Sequence, residues 1–355
     1  MKILITGICG FVGSSIARAL KARHSEWEII GIDNFIRPGS WTNRDDARRL
    51  CTSFFHGDIR NESDLEVIPK TDWVIDAAAN PSVLAGIDGK SSSLQLIQHN
   101  VVGTINLLEY CKRHGAGFML LSTSRVYSIP PLVSLKMDVA DNAFQPDVNQ
   151  KFPEGISPLG VSEKYSTAPP VSLYGSSKVA SEQLALEYGA TFDFPVWINR
   201  CGVMAGAGQF GHPMQGIFAY WVHSFREKRP LQYIGFEGTG HQVRDCLHPN
   251  DLVSLLVKQM NEPAGSEKQR IINVSGGVGS AMSLKQLSDW CQKRFESTNV
   301  KVSNTHRPFD IPWMILDSSL AKATWDWQPS TTTKDVLEEI AAFAETHPDW
   351  CAMSL

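Results

Sequence analysis

The sequence predicts an α/β protein built on a doubly wound parallel sheet, with a smaller α/β part towards the C-terminus. Three observations predict it. Strand-like apolar runs alternate with helix-like amphipathic runs through the first half of the chain, the succession expected of βαβ units. The first apolar run, Ile3 to Ile5, passes into Gly7, Gly10 and Gly13 at G-x-x-G-x-x-G spacing, with a helical stretch over Phe11 to Arg23 behind them. The second run, Glu28 to Ile32, ends in Asp33, twenty residues after Gly13.

Each of these elements suits a dinucleotide. Glycines accept positive φ and let the backbone approach a pyrophosphate. The helix amino terminus then offers free N–H groups to the anion. Gly7, Gly10, Phe11, Val12 and Gly13 are therefore candidate cofactor residues, and Cys9 reads as a small residue that fits the turn. Asp33, with Asn34 after it, can accept hydrogen bonds from ribose hydroxyls and repel a 2′-phosphate, which favours NAD over NADP. The alternative is a plain loop aspartate.

The next strand runs from Ser53 to His56, followed by Gly57-Asp58-Ile59-Arg60. Asp58 can reach an adenine amine or cap the turn, with Ile59 beside it. A helix near Asn61 to Ile68 leads to a strand over Trp73 to Asp76. Ala77, Ala78 and Ala79 follow, small enough to let a cofactor pass the backbone. A long helix is expected over Ser92 to His114 and a strand over Phe118 to Leu121, ending in Ser122-Thr123-Ser124-Arg125-Val126-Tyr127. Ligands of such sheets sit at strand carboxyl ends.

Tyr174 and Lys178 stand four apart in Leu173-Tyr174-Gly175-Ser176-Ser177-Lys178. On a helix they share a face. A phenol titrates near ~10, and a neighbouring cation favours the phenolate, which makes Tyr174 a candidate general base. After a strand over Val196 to Arg200, a glycine-rich stretch runs from Gly202 to Gly216. Residues 1–200 are read as the Rossmann-type domain and 201–355 as mainly a substrate-binding domain. The chain is expected to return to the first near 245–275, with a strand at Ile271 to Val274. Helices are expected at Leu284 to Phe295 and Lys334 to Glu345.

Bulk composition excludes several classes. The 355 residues are 43% hydrophobic and 20% charged, with net charge −4, so no basic field for nucleic acid is evident. No apolar stretch approaches the ~18 residues of a membrane span. The first strand occupies residues 1–6, where a signal peptide would stand, and the seven cysteines are scattered singly. A cytoplasmic enzyme with free thiols is expected. His241 and His248 have no ligand spacing, so no metal is assigned.

Together the glycine turn, Thr123 and Tyr174/Lys178 resemble the extended short-chain dehydrogenase/reductase family of NAD-dependent nucleotide-sugar epimerases and dehydratases, over nearly the whole chain. The resemblance implies that Thr123 hydrogen-bonds the reacting sugar hydroxyl, Tyr174 is the base, and Lys178 binds the nicotinamide ribose and lowers the tyrosine pKa. Asn100, in Asn100-Val101-Val102-Gly103-Thr104, matches the family's helix asparagine. Asp76 stands where many members carry histidine. Ser124 and Arg125 stand where dehydratases and decarboxylases of the family place acids, which points to an epimerase.

Gln209-Phe210, Gln215, Arg244 and, in His306-Arg307-Pro308-Phe309-Asp310, Arg307 are similar to a branch that inverts C2 of a CDP-3,6-dideoxyhexose. They are candidate substrate residues, with Arg244 the first choice for phosphate; the alternative is that the two arginines are structural salt-bridge partners. The proline-rich segment from 128 to 170 is read as a lid over the sugar, or else as a surface loop. The expected activity is NAD-dependent epimerisation of a CDP- or UDP-linked sugar through a keto intermediate. A UDP-hexose or UDP-hexuronate 4-epimerase is the alternative, and a noncatalytic NAD-binding scaffold the alternative of another class. By resemblance, helices near Val101–His114 and Tyr174–Tyr188 pair in a homodimer or homotetramer.

Overall fold

In a computed structural model, residues 1–87, 89, 92–263, 265–296, 300–303 and 305–354 are described. The large sheet has seven strands: β1 (Lys2–Thr6), β2 (Glu28–Asp33), β3 (Ser53–His56), β4 (Trp73–Asp76), β5 (Gly117–Thr123), β6 (Val196–Cys201) and β7 (Ile271–Val274). All pair in parallel, in the order β7-β6-β5-β4-β1-β2-β3. The direction of winding reverses between β1 and β4, which opens the crevice where such sheets bind ligands.

Along β1, Ile3 and Ile5 join one core with Trp27, Ile75 and Met119, while Leu4 joins the other with Val74, Leu107 and Leu120. Burial on both faces is why the strands read as continuous apolar runs rather than alternating ones. The helix Phe11–Arg23 packs with Pro249–Met260 on one face, and Gly103–His114 with Ser172–Phe192 on the other. The chain thus re-enters the first layer at Pro249–Met260 and adds β7.

A second sheet is centred on Val243–Leu247, flanked by Val203–Met204, Ala281–Ser283 and Trp313–Met314. Beside it pack Ile217–Arg226, Leu284–Phe295 and Thr333–Thr346. The last two helices begin in capping boxes, Ser283 with Gln286 and Thr332 with Asp335, each satisfying two backbone donors left open at a helix start.

Two expectations change. The long helix from Ser92 is interrupted: Ser93–Ile97 and Gly103–His114 are joined by a π-helical turn, Gln98–Val102. The wider turn carries Asn100, whose side chain accepts from Asn80 N (2.8 Å) and donates to Asn80 O and Ser177 Oγ (each 3.0 Å). The segment from 128 to 170 forms two hairpins, Met137–Ala140 with Ala143–Pro146 and Ile156–Ser157 with Gly160–Val161. Its apolar side chains (Ile129, Leu132, Ile156, Val161, Tyr165) are buried against Val243, Trp313 and Leu316. Glu163 accepts from Asn273 N on β7 at 2.6 Å. Hydrophobic packing therefore holds the segment against the second sheet, and none of its residues lines the sugar-side cavity described below.

Candidate active site

The glycine turn is shaped by backbone contact. A Cβ on Gly13 would meet Gly7 O at 2.3 Å, and Gly7 has φ +60°, so side chains at these positions would push helix and strand apart. Asp33 closes the turn from β2, accepting from Cys9 N (2.9 Å) and Phe35 N (2.8 Å). Burial raises its pKa, and these backbone donors oppose the rise. Two bonds leave a carboxylate with further acceptor capacity.

A groove of about 310 Å³ runs over this turn. Gly7, Gly10, Phe11, Val12, Gly13, Asp33, Asn34, Ile59, Ala77, Ala78 and Ala79 line it, all foreseen from sequence. Asp58 does not. Its carboxylate accepts from Arg60 N (2.9 Å), the Arg60 guanidinium (2.6 Å) and Asn34 Nδ2 (2.9 Å). Those bonds hold it at a pKa of about 2 despite burial. This is the turn-capping arrangement that the sequence offered as the alternative. Asn100 lies behind the groove, as the tie between Asn80 and Ser177.

Three buried polar atoms on the groove wall have no protein partner: Ser40 Oγ, His99 Nε2 and Gln209 Oε1. Unpaired buried polar groups are costly, so a polar ligand is what such a wall fits. Glycine cradle, groove-lining carboxylate and orphaned polar atoms together fit a dinucleotide.

The second cavity, about 240 Å³, begins where the groove ends; Pro81, Gln215 and Gly216 line both. Thr123, Ser124, Arg125, Tyr174, Arg244 and Arg307 line it, with Gln242 and Asp310. Thr123 is the last residue of β5. Tyr174 lies in the first turn of the helix Ser172–Phe192, close enough for the Thr123 hydroxyl to favour its ionised form. Gly175 permits that approach, because a Cβ there would meet Arg125 O at 2.3 Å. Behind them, Arg200 forms a buried fork on Glu182 (2.6 Å), which also accepts from Ser122 Oγ at 2.5 Å. Such a paired network fixes the strand end against the helix.

The electrostatics differ from expectation. Burial pushes the Tyr174 phenol up to about 12; the Thr123 hydroxyl and then the charge of Arg125 act downward. Lys178 is buried and lines neither cavity. Burial lowers its pKa, opposed by Asp76 and Glu182. Asp76 is itself buried, accepting from Thr6 Oγ1 (2.8 Å) and Thr104 Oγ1 (3.3 Å). In the free protein, then, the phenol is raised rather than lowered, since dehydration outweighs the Thr123 hydroxyl and the Arg125 charge.

Two substrate candidates lie elsewhere. Gln209 and Phe210 line the glycine groove and not the second cavity, while Gln215 reaches both. The reason is Arg37, which draws the 209–216 loop towards β2 by donating to Phe210 O and, at 2.7 Å, to Gln215 Oε1. Arg244 is half salt bridge, half cavity wall. It donates to Val243 O, Ile311 O and Asp310 Oδ1 (2.7, 2.8 and 3.2 Å). Arg125 donates to Phe309 O at 3.2 Å, and burial beside Arg244 and Arg307 pulls its pKa down to about 9. Three guanidinium groups against one carboxylate, Asp310, make a wall suited to a diphosphate.

Sequence reasoning passed over Arg37, Ser40, His99, Gln242 and Asp310. The last two flank quoted motifs, Gln242 two before Arg244 and Asp310 three after Arg307, and that adjacency was the available signal. Among the described residues, no group of His, Cys, Asp or Glu is arranged to hold a metal. No helix among them is long and apolar enough to cross a membrane.

Residues 3–275 match the NAD dependent epimerase/dehydratase family. The chain is 29% identical to CDP-paratose 2-epimerase of Salmonella typhi, covering 96% of this chain and 98% of that enzyme. It is 26% identical to UDP-glucose 4-epimerase of Caenorhabditis elegans, covering 98% and 99%. Among solved structures, UDP-glucuronic acid 4-epimerase of Bacillus cereus in complex with NAD superposes with a TM-score of 0.73 at 26% identity, covering 98% of this chain and 99% of the other.

Proposed function

The chain belongs to the NAD dependent epimerase/dehydratase family of enzymes, and from that premise we propose that it epimerises a nucleotide-linked sugar through a transient keto intermediate, most closely in the manner of a CDP-paratose 2-epimerase. The observation that carries this reading is the Thr123–Tyr174 hydroxyl pair, which faces an arginine-lined cavity at the end of the glycine groove. When bound, NAD supplies the hydride acceptor and donor.

This chain's residues supply the rest. Thr123 orients the reacting hydroxyl. Tyr174 removes its proton and returns it once the sugar presents its other face. Lys178, by family resemblance the ligand of the nicotinamide ribose, lies buried outside both cavities in the free protein and would act from there. Arg244 and Arg307 keep the diphosphate anchored while the sugar turns. Ser124 and Arg125 put no acid beside Thr123, which supports epimerisation over dehydration. Arg125 also steadies the phenolate. Asp33 and Asn34 hold the adenosine end.

A 4-epimerase acting on a UDP-hexose or UDP-hexuronate is the second reading, supported by the UDP-sugar relatives. The two differ only in which hydroxyl meets Thr123. A panel of CDP-, UDP-, dTDP- and GDP-sugars in deuterated water, read by NMR, separates them. Inversion at C2 of a CDP-deoxysugar with that carbon still protiated is expected. Inversion at C4 of a UDP-sugar selects the second reading, and deuterium at the inverted carbon overturns hydride return for both. Val102 and Leu173 are exposed at the starts of the helices read as a dimer face; light scattering on the purified protein tests a homodimer or homotetramer.

A further inference from the structure

The two rims of the glycine groove are joined by one side chain. Arg37 follows β2 by four residues and lines the groove. Its Nη1 donates to Gln215 Oε1 at 2.7 Å and its Nη2 to Phe210 O. Phe210, Gln215 and Gly216 line the opposite rim. Both acceptors come from the 209–216 loop, more than 170 positions away in the chain. Phe210 is itself clamped: its ring stacks on Trp350 at 5.1 Å, and a Cβ on Gly39 would meet it at 2.8 Å.

We propose that Arg37 is a latch that retains the dinucleotide: its guanidinium closes the 209–216 loop over the groove, so that the cofactor leaves only when this pair of hydrogen bonds breaks. The inference rests on the cofactor reading above and adds a residue to which that reading gave no part. An epimerase consumes no net reductant, so a cofactor kept through many turnovers is what its chemistry needs. A charged donor forked on two neutral acceptors holds its geometry more firmly than a neutral pair.

The alternative for an arginine at this place is a ligand to a 2′-phosphate. Both guanidinium branches are engaged across the groove, so that role would require the latch to open. The orphaned Gln209 Oε1 and Ser40 Oγ lie on the two rims that Arg37 joins. They are positioned to be paired by what the latch encloses.

The latch also touches the sugar side. Gln215 and Gly216 line both cavities, so a nucleotide held in the second cavity stiffens the loop that Arg37 fastens. Coupling of this kind is reciprocal.

The test is the dissociation rate of NAD, followed by transfer of released NAD to an excess of a scavenging dehydrogenase. It uses the full chain as wild type, Arg37→Met, which keeps the aliphatic stem, and Gln215→Glu, which replaces a neutral acceptor by an anion. Expected are release at least tenfold faster from Arg37→Met and slower from Gln215→Glu, with both NAD-free proteins still unfolding cooperatively. UDP or CDP should slow release from wild type more than from Arg37→Met. Equal release rates in wild type and Arg37→Met, with NAD bound in both, overturn the latch alone. So does an Arg37→Met protein that loses affinity only for NADP. A wild-type protein that neither carries nor takes up NAD overturns the latch together with the cofactor reading.

Discussion

The glycine groove and the arginine cavity meet end to end, yet they are made differently. The groove is made mainly of backbone: a turn with no side chains to obstruct it, a helix amino terminus, and the alanines ending β4. Its floor lies in two short stretches of chain, 7–13 and 77–79, and does its work by leaving space; side chains from 32–40, 57–59 and 209–216 close its walls. The cavity is made of side chains brought from many distant segments, among them those around residues 123, 174, 215, 244 and 307. Its charges are already paired in part, as Arg244 with Asp310 and Arg125 with Phe309 O. The groove is thus a site of shape, and the cavity a site of charge and placed hydroxyls. The first can serve many reactions; the second selects one.

Substitutions on either side should break different quantities. The largest effect is expected at the junction: Tyr174→Phe should lower kcat by about 10²–10⁴-fold, the usual contribution of a placed general base, while bound NAD, measured after acid release, stays unchanged. Undiminished turnover would remove the base. Gly13→Ala forces a Cβ against Gly7 O; overpacking of this kind costs about 1–3 kcal/mol. It should appear as a lower Tm and loss of bound dinucleotide. Arg307→Ala tests the other side. Loss of charge-assisted hydrogen bonds worth about 1.5–3 kcal/mol should raise KM for the sugar nucleotide while NAD content holds; a drop in NAD content instead would erase the division drawn here.

Smaller effects sharpen the contrast. Arg125 favours the ionised phenol of Tyr174. Arg125→Met therefore raises the phenol's pKa, and the acid limb of the kcat–pH profile should move to higher pH. A limb that stays in place, or moves down, assigns the poise to another cation. Asp33→Ala should narrow the preference for NAD over NADP by roughly tenfold, the loss of one charge-assisted hydrogen bond, as read by titration of each dinucleotide.

The same contrast explains what could be read in the sequence. The boundaries of β2, β3, β4 and β7, and of the helices Phe11–Arg23 and Leu284–Phe295, follow from local periodicity. The groove follows too, because Gly7, Gly10 and Gly13 carry their geometry with them. That Gln209 and Phe210 line the groove rather than the second cavity could not be read, because the hydrogen bonds of Arg37 decide it, across more than 170 residues. The lid reading of 128–170 failed for a similar reason: its prolines announce a structured loop, but Val243 and Trp313 decide where it lies. The i,i+4 spacing of Tyr174 and Lys178 reports a neighbour and says nothing of the water removed around the phenol, which raises its pKa in the free protein.

The position of β7 in the sheet has a consequence for synthesis. β6 pairs with β5 on one side and with Ile271–Val274 on the other. A nascent chain that has reached only residue 260 therefore holds a hydrophobic strand, Val196–Cys201, with its outer hydrogen-bonding row bare. Bare edges of this kind recruit other strands. Until Ile271–Val274 has emerged from the ribosome that edge stays open to aggregation, although neither stretch carries a catalytic group.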